Sequence, residues 1–123
     1  RLRAVLRVML FILIITAAWL VMRANIIFTA ISLITVAHSD LTANRGSFIE
    51  GWISTASTAE TNISLEEASY WKVTGDSNLT HLHNDNSIVD MTHDSNIFST
   101  LTVDNLSGEN GVIKMDIDAV RIR

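Results

Sequence analysis

The sequence predicts an all-β fold, a β-solenoid (β-helix) preceded by an apolar, helical N-terminal segment, and three observations carry that reading. From Asp40 onward, apolar residues return in small groups about every eight to twelve residues, each group closed by Asn, Asp, Ser or Gly. Within the groups the apolar residues sit two apart, as in Trp71 and Val73 or Leu101 and Val103, so Lys72 and Thr102 face the other way. Before Asp40 the chain is almost wholly apolar and shows no such alternation.

Residues 1–39 hold two apolar runs, Val8 to Met22 and Ile26 to Ala37, separated by Arg23, Ala24 and Asn25. Neither reaches the roughly 20 apolar residues of a comfortable membrane-spanning helix. The basic start, the apolar run and the small-x-small ending Ala37-His38-Ser39 describe an export signal, with Thr16-Ala17-Ala18 as a weaker second cleavage candidate. A membrane anchor with Arg23 snorkelling to an interface, a helical hairpin and an apolar helix packed on the following domain are the competing readings. The segment is therefore expected to be a signal-like or membrane-anchor unit, with a second unit over 40–123.

Charge divides the chain at the same place. The total over 123 residues is -4, but Arg1, Arg3, Arg7 and Arg23 are the only charges before Asp40. From Asp40 onward five basic residues stand against all 13 acidic ones, giving -8. An acidic unit without a basic cluster argues against nucleic acid as a partner. With no Cys, disulfides and thiolate metal sites are excluded.

The second unit reads as short strands throughout. Phe48, Ile49, Trp52 and Ile53 form its first apolar group; Ile63 and Leu65 lead to Trp71 and Val73; Leu79, Leu82, Ile88, Val89 and Met91 follow. Then come Phe98, Leu101, Val103, Leu106 and the group Val112 to Ile117. Helical i, i+3, i+4 spacing is not sustained anywhere in this half. The spacing alone fits a sandwich or a solenoid. Loose polar turns, and Thr, Ser and Asn on the outward positions, favour a solenoid in which apolar residues fill the interior of stacked coils. The expected core is Trp71, Val73, Leu79, Leu82, Val89, Leu101, Val103, Leu106 and Val112, with Gly75 and Gly108 at turns.

The stretch Trp71-Lys72-Val73-Thr74-Gly75-Asp76-Ser77-Asn78-Leu79-Thr80, then Ser87 to Met91, then Phe98 to Gly108, resembles the pertactin-like passenger domain of bacterial autotransporters. The resemblance covers about Ile63 to Asp118, and Phe48 to Trp52 is read as an earlier coil of the same kind. It implies a right-handed parallel β-helix on, or released from, the surface of a Gram-negative cell, and it places this chain just before the outer-membrane β-barrel. Its partners would be the remainder of the passenger and that barrel, neither present in this chain, with host-surface or cell–cell contact, and a membrane met through residues 1–39. A truncated or fused gene product is a further expectation.

Candidate chemistry is sparse. His81 and His83 share a strand face, and Asp90, His93 and Asp94 lie a coil-like distance further on, types that bind Zn²⁺ when they converge. Glu66, Glu67 and the scattered aspartates are candidates for acid and base across stacked coils, as in a polysaccharide-cleaving enzyme. Trp52, Tyr70 and Trp71 are candidates for a carbohydrate-stacking platform, although Trp at a strand position is more often core. Asn62, Asn78 and Asn105 open glycosylation-type triplets expected by chance in so polar a chain. Solvated strand and turn positions are the commoner explanation for all of these. The reading that results is a non-enzymatic passenger segment supporting folding, display and adhesion, with no catalytic, cofactor or metal residue assigned. Its alternatives are a polysaccharide-acting enzyme on the same fold and a small membrane-anchored protein.

Overall fold

A computed structural model describes residues 5–7, 12–27, 29–94 and 98–116. Every regular element among them is a strand: β1 (Val5–Arg7), β2 (Ile12–Ile27), β3 (Thr29–Ala43), β4 (Phe48–Gly51), β5 (Ile53–Thr55), β6 (Glu60–Leu65), β7 (Tyr70–Val73), β8 (Ser77–Asn84), β9 (Ile88–Asp90), β10 (Leu101–Ser107) and β11 (Val112–Lys114). All their pairings are parallel. The early strands pair with their sequence neighbours, β1 with β2, β2 with β3 and β3 with β4, and the later partners are strands one coil away. Ile49 faces Trp71, Trp71 faces Val89, and Val89 faces Ile113. The chain is a parallel β-solenoid of about four turns.

Each turn has three sides. The first is the stack β4, β7, β9, β11. The second runs from the middle of β3 through β5 and on to the first halves of β8 and β10; β5 and β8 are bridged by Ile53 N–H to Ser77 Oγ (3.1 Å) and Thr55 N–H to Asn78 Oδ1 (3.0 Å). The third stacks the ends of β2 and β3 on β6 and the second halves of β8 and β10. Period-two alternation fixes which residues point inward. In β6, Thr61, Ile63 and Leu65 are buried, and Glu60, Asn62 and Ser64 are not. The inward residues form one apolar column through the coils, including Leu33, Leu41, Ile49, Ile53, Ile63, Leu65, Trp71, Val73, Leu79, Leu82 and Val89. Removing a side chain such as Leu82 or Trp71 from water contributes about 1.5–3 kcal/mol.

The corner from the third side to the first repeats its chemistry. Arg45, Glu67, Asn86 and Asn110 all have positive φ there, near +50 to +60°. Ser47, Ser69 and Ser87 stack inside the corner and are buried. Ser69 Oγ donates to Glu66 O (2.8 Å) and accepts from Ser47 N–H (3.2 Å); Ser87 Oγ donates to Asp85 O (2.8 Å) and accepts from Ser69 N–H (3.1 Å). Gly111 takes the serine position in the last corner. Gly108 (φ +111°) and Gly111 both press on Asn84, where an added Cβ would stand 2.2 Å and 2.5 Å from Asn84 atoms. Asn110-Gly111, a dipeptide that marks a hairpin in antiparallel sheets, here joins strands on successive sides of a coil.

Two expectations are corrected. A helix was expected over residues 1–39, but among its described residues β2 and the first part of β3 are strands, and β3 runs without a break across the composition boundary at Asp40. Ile is the commonest residue of that stretch, with Val and Thr beside it, and branched side chains suit a pleated surface. No helix among the described residues is long and apolar enough to cross a membrane. Within the expected core, Trp71, Val73, Leu79, Leu82 and Val89 are buried and Leu101 and Val103 half-buried, whereas Leu106 and Val112 are 61% and 49% exposed. Leu106 stands over buried Leu82 where no described strand covers it, whereas Val112 belongs to the outward row above Ile88 and Tyr70, and its neighbour Ile113 takes the inward position over Val89.

Candidate functional site

Two polar networks stand on the outer surface, each assembled by register. On the first side, Glu50, Lys72, Asp90 and Lys114 form one outward row and Phe48, Tyr70, Ile88 and Val112 the next. The Phe48 and Tyr70 rings stack at 5.1 Å with an 8° interplanar angle, and Lys114 Nζ lies 5.9 Å from the Tyr70 ring centroid. Tyr70 donates its hydroxyl to Asp90 Oδ2. Asp90 Oδ1 accepts from Thr92 N–H (2.9 Å) and Thr92 Oγ1 (2.5 Å), and Lys72 Nζ stands 3.6 Å away while donating to the Thr92 carbonyl.

Asp90 is 5% exposed. Burial pushes its carboxyl up, but hydrogen bonds from Thr92 and Tyr70, with the Lys72 charge, outweigh it and bring the group down to about 2. Burial, then the Asp90 bond and charge, push the Tyr70 phenol up to about 12. A carboxylate held ionised and a phenol held neutral, with their lone pairs and protons already engaged, form a latch between coils. Such a pair is poorly suited to proton transfer near neutral pH.

On the third side, His38 Nε2 lies 3.0 Å from Asp40 Oδ2 and its Nδ1 3.8 Å from Glu60 Oε2. Asn62 Nδ2 donates to both Asp40 Oδ1 and Glu60 Oε2, each at 2.7 Å. Exposed Trp19 stacks on His38 at 4.6 Å. The hydrogen bond to Asp40 raises the His38 imidazole above its ordinary value, against a smaller opposing effect of burial. The same bond, helped by Asn62, lowers the Asp40 carboxyl. Sequence names Asn62 only within a glycosylation-type triplet and His38 only within a cleavage candidate, and joins none of these residues into a cluster. Its signal is two spaced pairs, His38-x-Asp40 and Glu60-x-Asn62, that register brings side by side.

The residues that sequence singled out are scattered. His81 and His83 do share the outward face of β8, on the third side. Asp90 is on the first side, and His93 and Asp94 follow it; His93 donates its backbone N–H to Asp116 Oδ2 (2.9 Å). Among the described residues no group of three His, Cys, Asp or Glu is placed to hold a metal ion. Glu66 pairs with Arg23 at 2.9 Å, and Glu67 is exposed in a corner. Trp71 lies in the core and donates Nε1–H to Gly51 O (3.2 Å), Tyr70 faces outward, and Trp52 lies at a corner under Gly75. The three rings form no common platform. Asn62 sits in the His38 cluster, and Asn78 pairs with the Thr55 backbone at 2.9 Å and 3.0 Å.

No family model, no curated protein and no solved structure matches the chain.

Proposed function

We propose that this chain is a segment of a right-handed parallel β-helix from a surface-displayed autotransporter passenger, non-enzymatic, serving passenger folding, display and adhesion. One observation carries the reading: a parallel solenoid whose final described coils present apolar side chains, Leu106 above the buried Leu82 and Ile113 above the buried Val89, in register with the core column. Such an end is a template on which a further coil stacks with its backbone ladder and core column already defined. The sequence motifs between Trp71 and Gly108 supply the family, the cell surface and the right-handed sense. The outward networks support a scaffold, since Tyr70, Lys72 and Asp90 on the first side and His38, Asp40 and Glu60 on the third are each engaged with a neighbour.

The test places the whole chain between an export signal and an outer-membrane β-barrel in a Gram-negative cell. The expected result is surface labelling of intact cells together with resistance to added protease. Retention in the periplasm, or degradation at the surface, overturns the reading.

One observation favours a polysaccharide-acting enzyme as the second reading: the Asp40 and Glu60 carboxylates converge on one Asn62 amide. The lowered Asp40 is an acceptor rather than a proton donor, and an acid partner would have to be Glu60. Reducing-end release from polysaccharides, abolished by Glu60→Gln, would replace the scaffold reading with this one.

A further inference from the structure

We propose that His81 and His83 form a two-histidine site for a divalent transition-metal ion on the third side of the solenoid. Leu82 between them is fully buried and paired in register with Ile63 below and Leu106 above, which fixes both flanking side chains outward. Residues two apart on a strand stand about 6.7 Å apart along the backbone, close enough for two imidazoles to converge on one ion at about 2.0–2.1 Å per bond.

The ring of His83 is already oriented. Its Nδ1 lies 3.0 Å from Ser107 Oγ in the next coil. A metal on Nε2 requires the proton on Nδ1, and the serine hydroxyl oxygen can accept that proton's hydrogen bond. This is the outer-shell contact that metal-bound histidines ordinarily make. His81 is exposed, and among the described residues its side chain makes no hydrogen bond, so it turns to the ion without losing a partner. The register neighbours are Asn62 and Ser64 on one side and Asn105 and Ser107 on the other, neutral groups that do not repel a cation. Water completes the coordination.

The other histidines are less suited. His38 has a carboxylate at each ring nitrogen, and His93 Nε2 is buried. Imidazole pairs suit Cu²⁺, Ni²⁺ and Zn²⁺, with Cu²⁺ bound most tightly.

Titration of the full chain with Cu²⁺, followed by calorimetry and by electron paramagnetic resonance, tests the site. One ion per chain with nitrogen hyperfine structure from two imidazoles is expected. His81→Ala and His83→Ala should each weaken binding by about tenfold or more, Ser107→Ala by less, and His93→Ala not at all. His81 is exposed, so its variant keeps the wild-type thermal melt. Absence of binding to the wild-type chain, unchanged affinity in His81→Ala, or loss of binding in His38→Ala or His93→Ala in place of these two would overturn the proposal.

Discussion

The coil from Tyr70 to Asn84 and the coil that follows it are built from similar residues and have different environments. Leu79 and Leu82 of the first are 3% and 0% exposed; their register partners Val103 and Leu106 are half-buried and 61% exposed. Side-chain chemistry is nearly constant between the two rows. What differs is whether another coil lies on top. Burial in a solenoid is thus supplied half by the coil below and half by the coil above, and hydrophobicity alone does not report which residues receive both halves.

The largest effect that separates the two coils is a truncation at the paired leucines. Leu82→Ala opens a cavity between covered layers and should lower stability by about 3 kcal/mol, whereas Leu106→Ala should cost less than about 1 kcal/mol. Equal losses in urea titrations of the two variants would mean that the final coil is as well covered as the one before it.

A smaller effect is expected at Gly108. An added Cβ meets the Asn84 backbone oxygen at 2.2 Å, so Gly108→Ala must displace backbone. The uncovered last coil can yield, which holds the cost to about 2 kcal/mol. Hydrogen exchange should then speed up in β10 and leave β7 unchanged. Faster exchange in both would show that the two coils open as one unit.

Acid sharpens the comparison further. Tyr70 and Lys72 of the earlier coil hold Asp90 of the later one. Its folded value, about 2, lies below the ordinary 3.8. The carboxylate therefore stabilises the fold fully above about pH 4, and that contribution, on the order of 1–2 kcal/mol, is lost as pH falls towards about 2. The difference in urea midpoint between the wild-type chain and Asp90→Asn should shrink across that range. A difference that stays constant with pH would show that the carboxylate is not held ionised by the latch.

Much of the architecture was legible in the chain. Alternation at Trp71, Lys72 and Val73 gave the inward and outward faces, and polar clusters marked the corners, including Gly75 and Gly108. The apolar first segment misled because hydropathy reports burial and not period: β2 and β3 are apolar enough for a helix yet pair as strands. Leu106 misled because its cover depends on a coil that residue type does not reveal, and Val112 because in the run Val112-Ile113 residue type does not say which of the two faces inward; register gives that place to Ile113. The His38 cluster was illegible for another reason. Its members lie up to 24 residues apart and meet only through an inter-coil register that local spacing does not state.

The serine corner gives the stack an arrow. The N–H of each of the first two corner serines points to the hydroxyl of the following coil, so Ser47 is satisfied by Ser69 and Ser69 by Ser87. A chain emerging amino end first therefore carries, at every moment, one donor waiting for a serine not yet delivered. Each new corner quenches the demand left by the last and raises its own. At Gly111 the relay meets a residue with no hydroxyl, and the signal to add another coil by this route stops there.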